Sequence, residues 1–332
     1  MKSMAVVAER AWDVGFREVE IPEPGLGDIV VSTRYSWISN GTEGSFIRGE
    51  RTQGDTPFVP GDPIPFPHVP GYQSVGIVQE VGPEVNGLAV GDWVFVTVGG
   101  VKNMHWTYGG HLGTLVAPAS EVYLLPDGLD PIAASGLVLT QVGVNTGSRP
   151  ALQPGDKAIV LGDGMVGHWT AQTLVARGAE VLLVGRHQDR LDLFAGETLL
   201  ASSVTEVQEA ARQWAPSGIQ VIGHTAGPVS WVEALYPCLK RFAHVVSAGF
   251  VGTEGAMDVQ KLRDKELTLH AVAGWTRPRL LQTLDMLAKG SIQTLPLISH
   301  HIPASRASEA YDLILHRREP FLGVVLDWSE QA

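Results

Sequence analysis

Residues 157–167 read KAIVLGDGMVG, a short apolar run that leads into three glycines spaced G-x-G-x-x-G. The helical stretch VGHWTAQTLVARG and the strand-like EVLLVG follow, as a βαβ unit requires. Gly162 would allow the tight turn, Gly164 would let the backbone approach a pyrophosphate, and Gly167 would let helix and strand pack closely. A plain strand–turn–helix connection is the alternative. The context favours dinucleotide binding at the helix N-terminus, with Met165 and Val166 contributing backbone N–H groups.

The end of the second strand of this unit indicates which dinucleotide is bound. An acidic residue there would bind the ribose 2′-hydroxyl of NAD, but VLLVGRHQDR places Gly185 at that position and Arg186 after it. Without a carboxylate there is no repulsion against a 2′-phosphate, and a guanidinium can bind phosphate bidentately. Arg190 and His187 could assist. The segment favours NADP(H). The alternative is a solvated Arg186 and no preference between the cofactors.

Strand and helix patterns divide the chain into two parts. Residues 1–125 read as short strands separated by Gly/Pro turns, with a long Pro/Gly-rich loop over residues 46–68. Residues 126–290 alternate strand-like and helical segments, which predicts a doubly wound parallel sheet. Residues 291–332 have strand–helix–strand character and would return to the first part. The fold class is therefore α/β plus β.

Composition excludes several classes of protein. Net charge is −11 with no basic run, which argues against nucleic acid and anionic membranes as partners. No apolar run reaches a membrane span, and MKSMAVVAERAW has no signal-peptide layout. The single cysteine, Cys238, excludes an internal disulfide and a site built on several thiolates. A cytoplasmic enzyme is the expectation.

Several further motifs occur in one order along the chain. These are IPEPGLGDIVV, YSWISNGTE, FPHVPGYQSVGIVQEVGPEV, GLAVGDWVFV, GGHLGTLVAP, LQPGDKAIVLGDGMVG and REPFLGVVLDW. In order and spacing the whole chain resembles the medium-chain dehydrogenase/reductase superfamily, the alcohol-dehydrogenase-like enzymes. The resemblance implies a GroES-like β-barrel substrate domain, split in sequence over 1–125 and 291–332, and a Rossmann cofactor domain over 126–290. It also implies an active site in the cleft between them and a homodimer or homotetramer. The IS-x-GTE variant is similar to the bacteriochlorophyllide hydroxyethyl dehydrogenase-like subgroup.

The resemblance also identifies the positions that would hold a catalytic zinc. The first ligand position falls on Ser39 or Asn40, the second on Tyr72-Gln73, and the third on about Gly136. None is a good zinc ligand, and the four-cysteine structural lobe is missing. Among the histidines no pair has a recognised ligand spacing with a third partner. We therefore predict an enzyme without zinc or another metal.

Without a metal, hydroxyl groups must stabilise the charge that develops on the substrate oxygen. By resemblance Tyr72 replaces a zinc-ligand histidine, so it is the candidate general acid, with Ser39 and Thr42 as supporting donors. The alternative is that Tyr72 only fills the vacated volume. A phenol pKa near 10 would need a neighbouring cation, or the charge of the nicotinamide, before Tyr72 could act as a base. Glu43 is expected to fix the turn or to pair with an arginine.

Aromatic side chains and three later turns complete the candidate site. A flat or apolar substrate, or a stacked sugar, is expected if several aromatic residues line one cavity. The candidate substrate contacts are Trp37, Phe46, His105, Trp106, Tyr108 and Trp275. By resemblance, the residues that would border the ribose and nicotinamide are Thr225, Ala226, Gly249, Phe250, Gly274 and Trp275.

Three functions remain open at this point. The first is a zinc-independent, NADP(H)-dependent alcohol dehydrogenase or carbonyl reductase. The second is an NADPH-dependent ene or quinone reductase, since zinc-free relatives often reduce activated C=C bonds. The third is a non-catalytic NADPH-binding protein.

Overall fold

A computed structural model describes residues 1–54, 56–249 and 255–331 of the chain. Its strands are β1 (Lys2–Arg10), β2 (Asp13–Glu20), β3 (Asp28–Trp37), β4 (Arg51–Gln53), β5 (Thr56–Pro57), β6 (Ser74–Val81), β7 (Trp93–Val96), β8 (Gly99–Gly100), β9 (Tyr108–Gly109), β10 (Thr114–Pro118), β11 (Val122–Leu124), β12 (Lys157–Leu161), β13 (Glu180–Gly185), β14 (Glu197–Leu200), β15 (Ile219–His224), β16 (Leu239–Ser247), β17 (Thr268–Ala271), β18 (Ile298–Pro303) and β19 (Gly323–Asp327). Its helices are α1 (Thr42–Ile47), α2 (Pro131–Ala134), α3 (Leu137–Ser148), α4 (Met165–Ala176), α5 (Gln188–Leu191), α6 (Val204–Trp214), α7 (Val229–Ala234), α8 (Val259–Asp264), α9 (Arg277–Ala288) and α10 (Ala307–His316). None of the helices described is long and apolar enough to cross a bilayer.

Two compact units make up the chain, one of residues 1–138 with 294–332 and the other of residues 139–293. The sequence places the limits at 125 and 290 instead. Residues 131–138 belong to the first unit because a Cβ at Gly136 would lie only 2.8 Å from the ring of Trp37 in β3. Backbone and indole are therefore in close contact, which ties this segment to the β-rich unit.

The first unit is the GroES-like part. Over the described residues, its main sheet has seven strands in the order β11-β7-β6-β3-β19-β18, with β10 paired to β3. The β3–β19 pairing joins the amino-terminal segment to the carboxy-terminal one and accounts for the split domain. A hairpin of β1 and β2 is tied to this unit by bridges from Ala5 to Leu112 and from Ala8 to His68.

The second unit is the Rossmann part. Within the described ranges its sheet has six parallel strands in the order β14-β13-β12-β15-β16-β17. The order reverses beside β12, so the carboxyl end of β12 is the topological switch point at which such sheets bind ligands. Alternate residues of β12 and β13 enter two cores, one on each face of the sheet. The fold class predicted from the sequence, α/β plus β with these two folds, is thus confirmed.

One helix was not expected. Residues 1–125 read in sequence as short strands separated by turns, but α1 spans Thr42–Ile47 directly after the turn at 39–41. It is only 6 residues long and includes a glycine, so it has no periodic apolar pattern to reveal it. Its short turn is stabilised instead by the burial of Glu43 and Ile47. The helix carries Thr42, one of the predicted supporting donors, and Glu43.

Candidate active site

The glycine-rich turn of the second unit has the shape that a pyrophosphate needs. Gly162 has a φ of +122°, and a Cβ there would lie 2.5 Å from the Thr225 hydroxyl. A Cβ on Gly167 would lie 1.9 Å from the carbonyl oxygen of Gly162. In contrast, no atom lies within 4 Å of a Cβ built on Gly164, which is the N-cap residue of α4. Packing thus requires two of the glycines, while the third leaves a cradle beside unsatisfied N–H groups that fits a dinucleotide phosphate.

Three of the other predicted cofactor contacts surround this turn. The Thr225 hydroxyl donates to the carbonyl of Leu161 at 2.9 Å, and the Ala226 N–H donates to the same oxygen at 3.2 Å. A Cβ on Gly249 would lie 3.1 Å from the Thr225 carbonyl oxygen. The loops after β12, β15 and β16 therefore lie side by side at the carboxyl ends of their strands.

The two contacts predicted after β17 are also in the second unit. Gly274 has a φ of +57°, and its carbonyl accepts from the side chain of Gln141 at 2.9 Å. Trp275 is 37% exposed, so its ring is accessible from solvent. Phe250 lies outside the described residues.

The end of β13 differs from expectation. The sequence argument assumes no carboxylate there because the strand ends in Gly185, yet a Cβ on Gly185 would lie 2.4 Å from the Cβ of Asp163. The side chain of Asp163, from the glycine-rich turn, fills the volume that a side chain at residue 185 would fill. The expected absence of a carboxylate is therefore wrong. Arg186 and His187 are exposed beside it, and a guanidinium nitrogen of Arg190 lies 3.6 Å from its Oδ1.

In the first unit, two of the predicted catalytic hydroxyls meet directly. The phenol of Tyr72 donates to Ser39 Oγ at 2.6 Å. Desolvation raises the pKa of Tyr72 to about 12, helped by the charge of Glu43 and opposed by hydrogen bonds with Ser39 and Thr42. The shift is opposite to the one that a base would need. Tyr72 is therefore a protonated hydrogen-bond donor at neutral pH.

A buried carboxylate, that of Glu43, holds the backbone of Ser39 next to the Tyr72 hydroxyl. Glu43 is 2% exposed, and its Oε1 accepts the Ser39 N–H at 2.7 Å. Its Oε2 lies 2.9 Å from His111 Nε2 and also accepts the hydroxyl of Tyr311. Burial alone would raise the pKa of Glu43, but His111 and these hydrogen bonds hold it below its usual range. Glu43 therefore fixes the turn, as expected, with a histidine and a tyrosine as partners.

By the family resemblance, three positions of this chain correspond to zinc ligands in relatives, but the residues at these positions do not fit a zinc ion. The side chain of Asn40 donates to the Leu322 carbonyl, and that of Gln73 donates to the Trp37 carbonyl at 2.9 Å. Gly136 has no side chain, and the ring of Trp37 fills the adjacent space. In the described part of the chain, no three His, Cys, Asp or Glu side chains come together as a metal site would require. Neutral hydroxyl and amide groups are weak zinc ligands.

Four of the predicted substrate contacts form one aromatic cluster, which we define as Phe46, His68, His105, Trp106 and Tyr108. Trp106 is at its centre, with ring centroids 5.0 Å from Phe46, 4.4 Å from His68, 5.6 Å from His105 and 6.5 Å from Tyr108. The Trp106 and Tyr108 rings are within 12° of parallel, and Tyr108 is 46% exposed. The cluster offers apolar ring faces that a flat ligand could contact.

Trp37 differs from the other predicted substrate contacts. It is 0% exposed, and Gly136 and Gly323 both leave room for its ring. A Cβ on Gly323 would lie 2.4 Å from that ring. This placement favours packing over substrate contact.

Sequence reasoning missed Asp163, His111 and Tyr311. Asp163 could have been found, because an acid inside the glycine-rich turn accompanies a glycine where the strand-end acid is expected. His111 and Tyr311 gave no such signal, since they lie 68 and 268 residues from their partner Glu43. Only the fold of the first unit brings them together.

Comparison with known proteins agrees with this architecture. Residues 27–127 match the alcohol dehydrogenase GroES-like domain. The 2-desacetyl-2-hydroxyethyl bacteriochlorophyllide A dehydrogenase of Rhodobacter capsulatus is 30% identical over 93% of each chain, and that of Cereibacter sphaeroides is 27% identical over 100% of each. These similarities extend through both units.

Solved structures are similar to this chain in fold. A putative zinc-binding dehydrogenase from Sinorhizobium meliloti, bound to NADP, has a TM-score of 0.78 at 21% identity. An alcohol dehydrogenase from Escherichia coli, in complex with NADH, has a TM-score of 0.82 at 20% identity. Each comparison covers 98% of this chain and 99% of the other.

Proposed function

The chain belongs to the medium-chain dehydrogenase/reductase superfamily, and from that premise we propose that it is a zinc-independent oxidoreductase that uses NADP(H). In this proposal it transfers hydride between the nicotinamide and an alcohol or carbonyl substrate. The observation that carries the proposal is the hydrogen-bonded pair of Tyr72 and Ser39. By the family resemblance, these two residues stand at positions that hold zinc ligands in zinc-dependent relatives. A cytoplasmic location and a homodimer or homotetramer belong to the same proposal.

The proposed chemistry assigns one task to the chain's own hydroxyls. A bound nicotinamide supplies or accepts the hydride. During reduction, the Tyr72 phenol donates a hydrogen bond to the carbonyl oxygen and then its proton to the oxygen that has gained charge. A proton from water then restores the phenol, relayed through the hydroxyls of Thr42 and Ser39, which both hydrogen-bond with Tyr72 and regain their own protons in the relay. With a pKa of about 12, Tyr72 is protonated before each cycle, as a general acid must be.

Substrate binding is proposed for the aromatic cluster. Phe46, His105, Trp106 and Tyr108 would contact a flat or apolar group, while the protruding Trp275 of the second unit stays a predicted contact. The names of the two curated relatives specify a hydroxyethyl group and a dehydrogenase. We extend that chemistry, an alcohol interconverted with a carbonyl, to this chain.

The alternative chemistry is reduction of an activated C=C bond in an enone or quinone. The experiment that tests the proposal follows NADPH oxidation with an aryl methyl ketone and with the matched enone, using protein dialysed against a chelator. We expect turnover of the ketone and retained activity after dialysis. Turnover of the enone alone would favour the ene reductase. Cofactor binding without turnover of either would favour the non-catalytic protein.

The preference for NADP(H) is proposed from Arg186 and Arg190. Replacing Arg186 with alanine is expected to lower kcat/KM for NADPH about tenfold and to leave that for NADH unchanged, since a charged hydrogen bond contributes about 1.5–3 kcal/mol. Steady-state kinetics with both cofactors measures this. Arg212→Ala, another exposed arginine of the second unit, is the control. A wild-type preference for NADH, or full NADPH use by Arg186→Ala, would contradict the assignment.

A further inference from the structure

Asp163 follows the first glycine of the turn, and its side chain fills the space beside Gly185 at the end of β13. The residue is 7% exposed, and its side chain extends to the carboxyl end of β13, where Gly185 has no side chain to compete for the space. The turn and the strand end are therefore matched to each other. A larger residue at 185 would displace the carboxylate.

The hydrogen bonds of Asp163 go to the segment that follows β13. Its Oδ2 accepts the backbone N–H of Arg186 at 2.7 Å and that of His187 at 2.8 Å. The same oxygen lies 2.9 Å from His187 Nδ1, while Oδ1 faces the guanidinium of Arg190 at 3.6 Å. Burial opposes ionisation, but the hydrogen bonds from His187 and the two backbone groups hold the pKa of Asp163 below its usual range. The carboxylate is thus ionised and bonded to the chain itself.

This bonding differs from what recognition of a ribose hydroxyl requires. An acid that binds the 2′-hydroxyl of NAD needs acceptor oxygens open to the ligand, whereas Oδ2 already receives three donors from the protein. Those bonds fix the backbone at Arg186 and leave its side chain exposed. They also hold the His187 ring and, through Oδ1, the Arg190 guanidinium around one buried charge.

We propose that Asp163 is a positioning residue for the 2′-phosphate of NADP(H), which holds Arg186, His187 and Arg190 in the arrangement that binds it. This inference rests on the proposed use of NADP(H) and adds the residue that organises the subsite. The negative charge of Asp163 does not repel the phosphate strongly, because cationic groups and two backbone N–H dipoles compensate it. The competing interpretation is that Oδ1 accepts the ribose 2′-hydroxyl and so favours NADH.

The two interpretations predict opposite signs for Asp163→Asn. The amide keeps the size of the side chain and one acceptor, but it removes the charge that holds Arg190 and His187. If Asp163 positions the subsite, the substitution weakens recognition of the 2′-phosphate. If Asp163 repels the phosphate or binds the 2′-hydroxyl, the substitution strengthens NADPH relative to NADH.

The experiment measures, by calorimetry, the affinities for adenosine 2′,5′-bisphosphate and for AMP, which differ only in the 2′-phosphate. We expect the bisphosphate to bind wild-type protein more tightly, and Asp163→Asn to reduce the ratio of the two affinities about tenfold. AMP affinity should change less than threefold. Asp163→Ser, a smaller neutral acceptor, is the second variant and should act in the same way. In steady-state assays the KM for NADPH should rise while kcat at saturation stays within twofold.

Each other outcome overturns a specific statement. A wild-type protein that binds AMP as tightly as the bisphosphate would overturn the NADP(H) proposal, and this inference with it. A wild-type preference that persists unchanged in both Asp163 variants would overturn the inference alone. An increased preference for the bisphosphate in Asp163→Asn would identify Asp163 as a repelling or hydroxyl-binding residue.

Discussion

Replacement of Tyr72 by phenylalanine is expected to lower kcat for carbonyl reduction by about 10²- to 10³-fold, with little change in the KM for NADPH. The substitution removes the hydroxyl that donates to Ser39 at 2.6 Å and keeps the ring. In the proposed mechanism that hydroxyl is the proton donor, so its loss leaves the charge on the substrate oxygen without stabilisation. The change corresponds to about 3–4 kcal/mol of transition-state stabilisation.

The matched control is Tyr35→Phe, which removes another hydroxyl of the first unit outside the proposed machinery. Its rates should equal those of the wild type. The pH profile supplies a second measurement, because a general acid with a pKa of about 12 stays protonated as the pH rises past 10. Reduction by the wild type should therefore show no alkaline decline from Tyr72 below about pH 11. A Tyr72→Phe variant with kcat within twofold of the wild type would reduce Tyr72 to a space-filling residue.

Much of the second unit could be predicted from sequence because its signals are local. The G-x-G-x-x-G turn lies between one apolar strand and one helix, and both elements occur at β12 and α4. The sequence RPRLLQTLDMLAKG predicts a helix with Gly290 as its C-cap, and α9 ends at Ala288 with Gly290 at a φ of +70°. Short-range periodicity and turn chemistry determine such elements.

The first unit was less predictable because its contacts are long-range. The pairing of β19 with β3 joins Val325 to Trp37, and no local pattern specifies that partner. The same limit applied to the candidate site. Tyr72 and Ser39 could be paired through a family resemblance. The buried carboxylate of Glu43, however, is stabilised by His111, which lies 68 residues away in the sequence.

Asp163 illustrates a different limit. A rule that assigns cofactor preference from the residue at the strand end reads Gly185 as the absence of an acid. The volume left by that glycine is filled by the side chain of Asp163, which comes from the glycine-rich turn earlier in the chain. Sequence rules of this kind depend on which side chain occupies a position in space, and only a structure identifies it.

Replacement of Gly164 by valine is expected to weaken NADPH binding by about 100-fold while leaving the fold intact. Gly164 has an extended backbone, with φ of −81° and ψ of 175°, and nothing lies within 4 Å of a Cβ built there. Valine therefore fits the free protein, but its methyl groups occupy the space that the pyrophosphate needs beside the N-terminus of α4. Losing one or two charged hydrogen bonds costs about 3 kcal/mol, or about two orders of magnitude in Kd.

Gly164→Val is more informative than a change at Gly167, where a Cβ would lie 1.9 Å from a carbonyl oxygen and would disturb folding itself. Gly15→Val is the matched control, since Gly15 lies in β2 and also has nothing within 4 Å of a Cβ. Fluorescence titration with NADPH should give a wild-type Kd for the control and a value about 100-fold higher for Gly164→Val, with equal Tm values. If Gly164→Val bound NADPH within threefold of the wild type, the pyrophosphate would have to lie elsewhere than over this turn, and the cofactor site would need a different assignment.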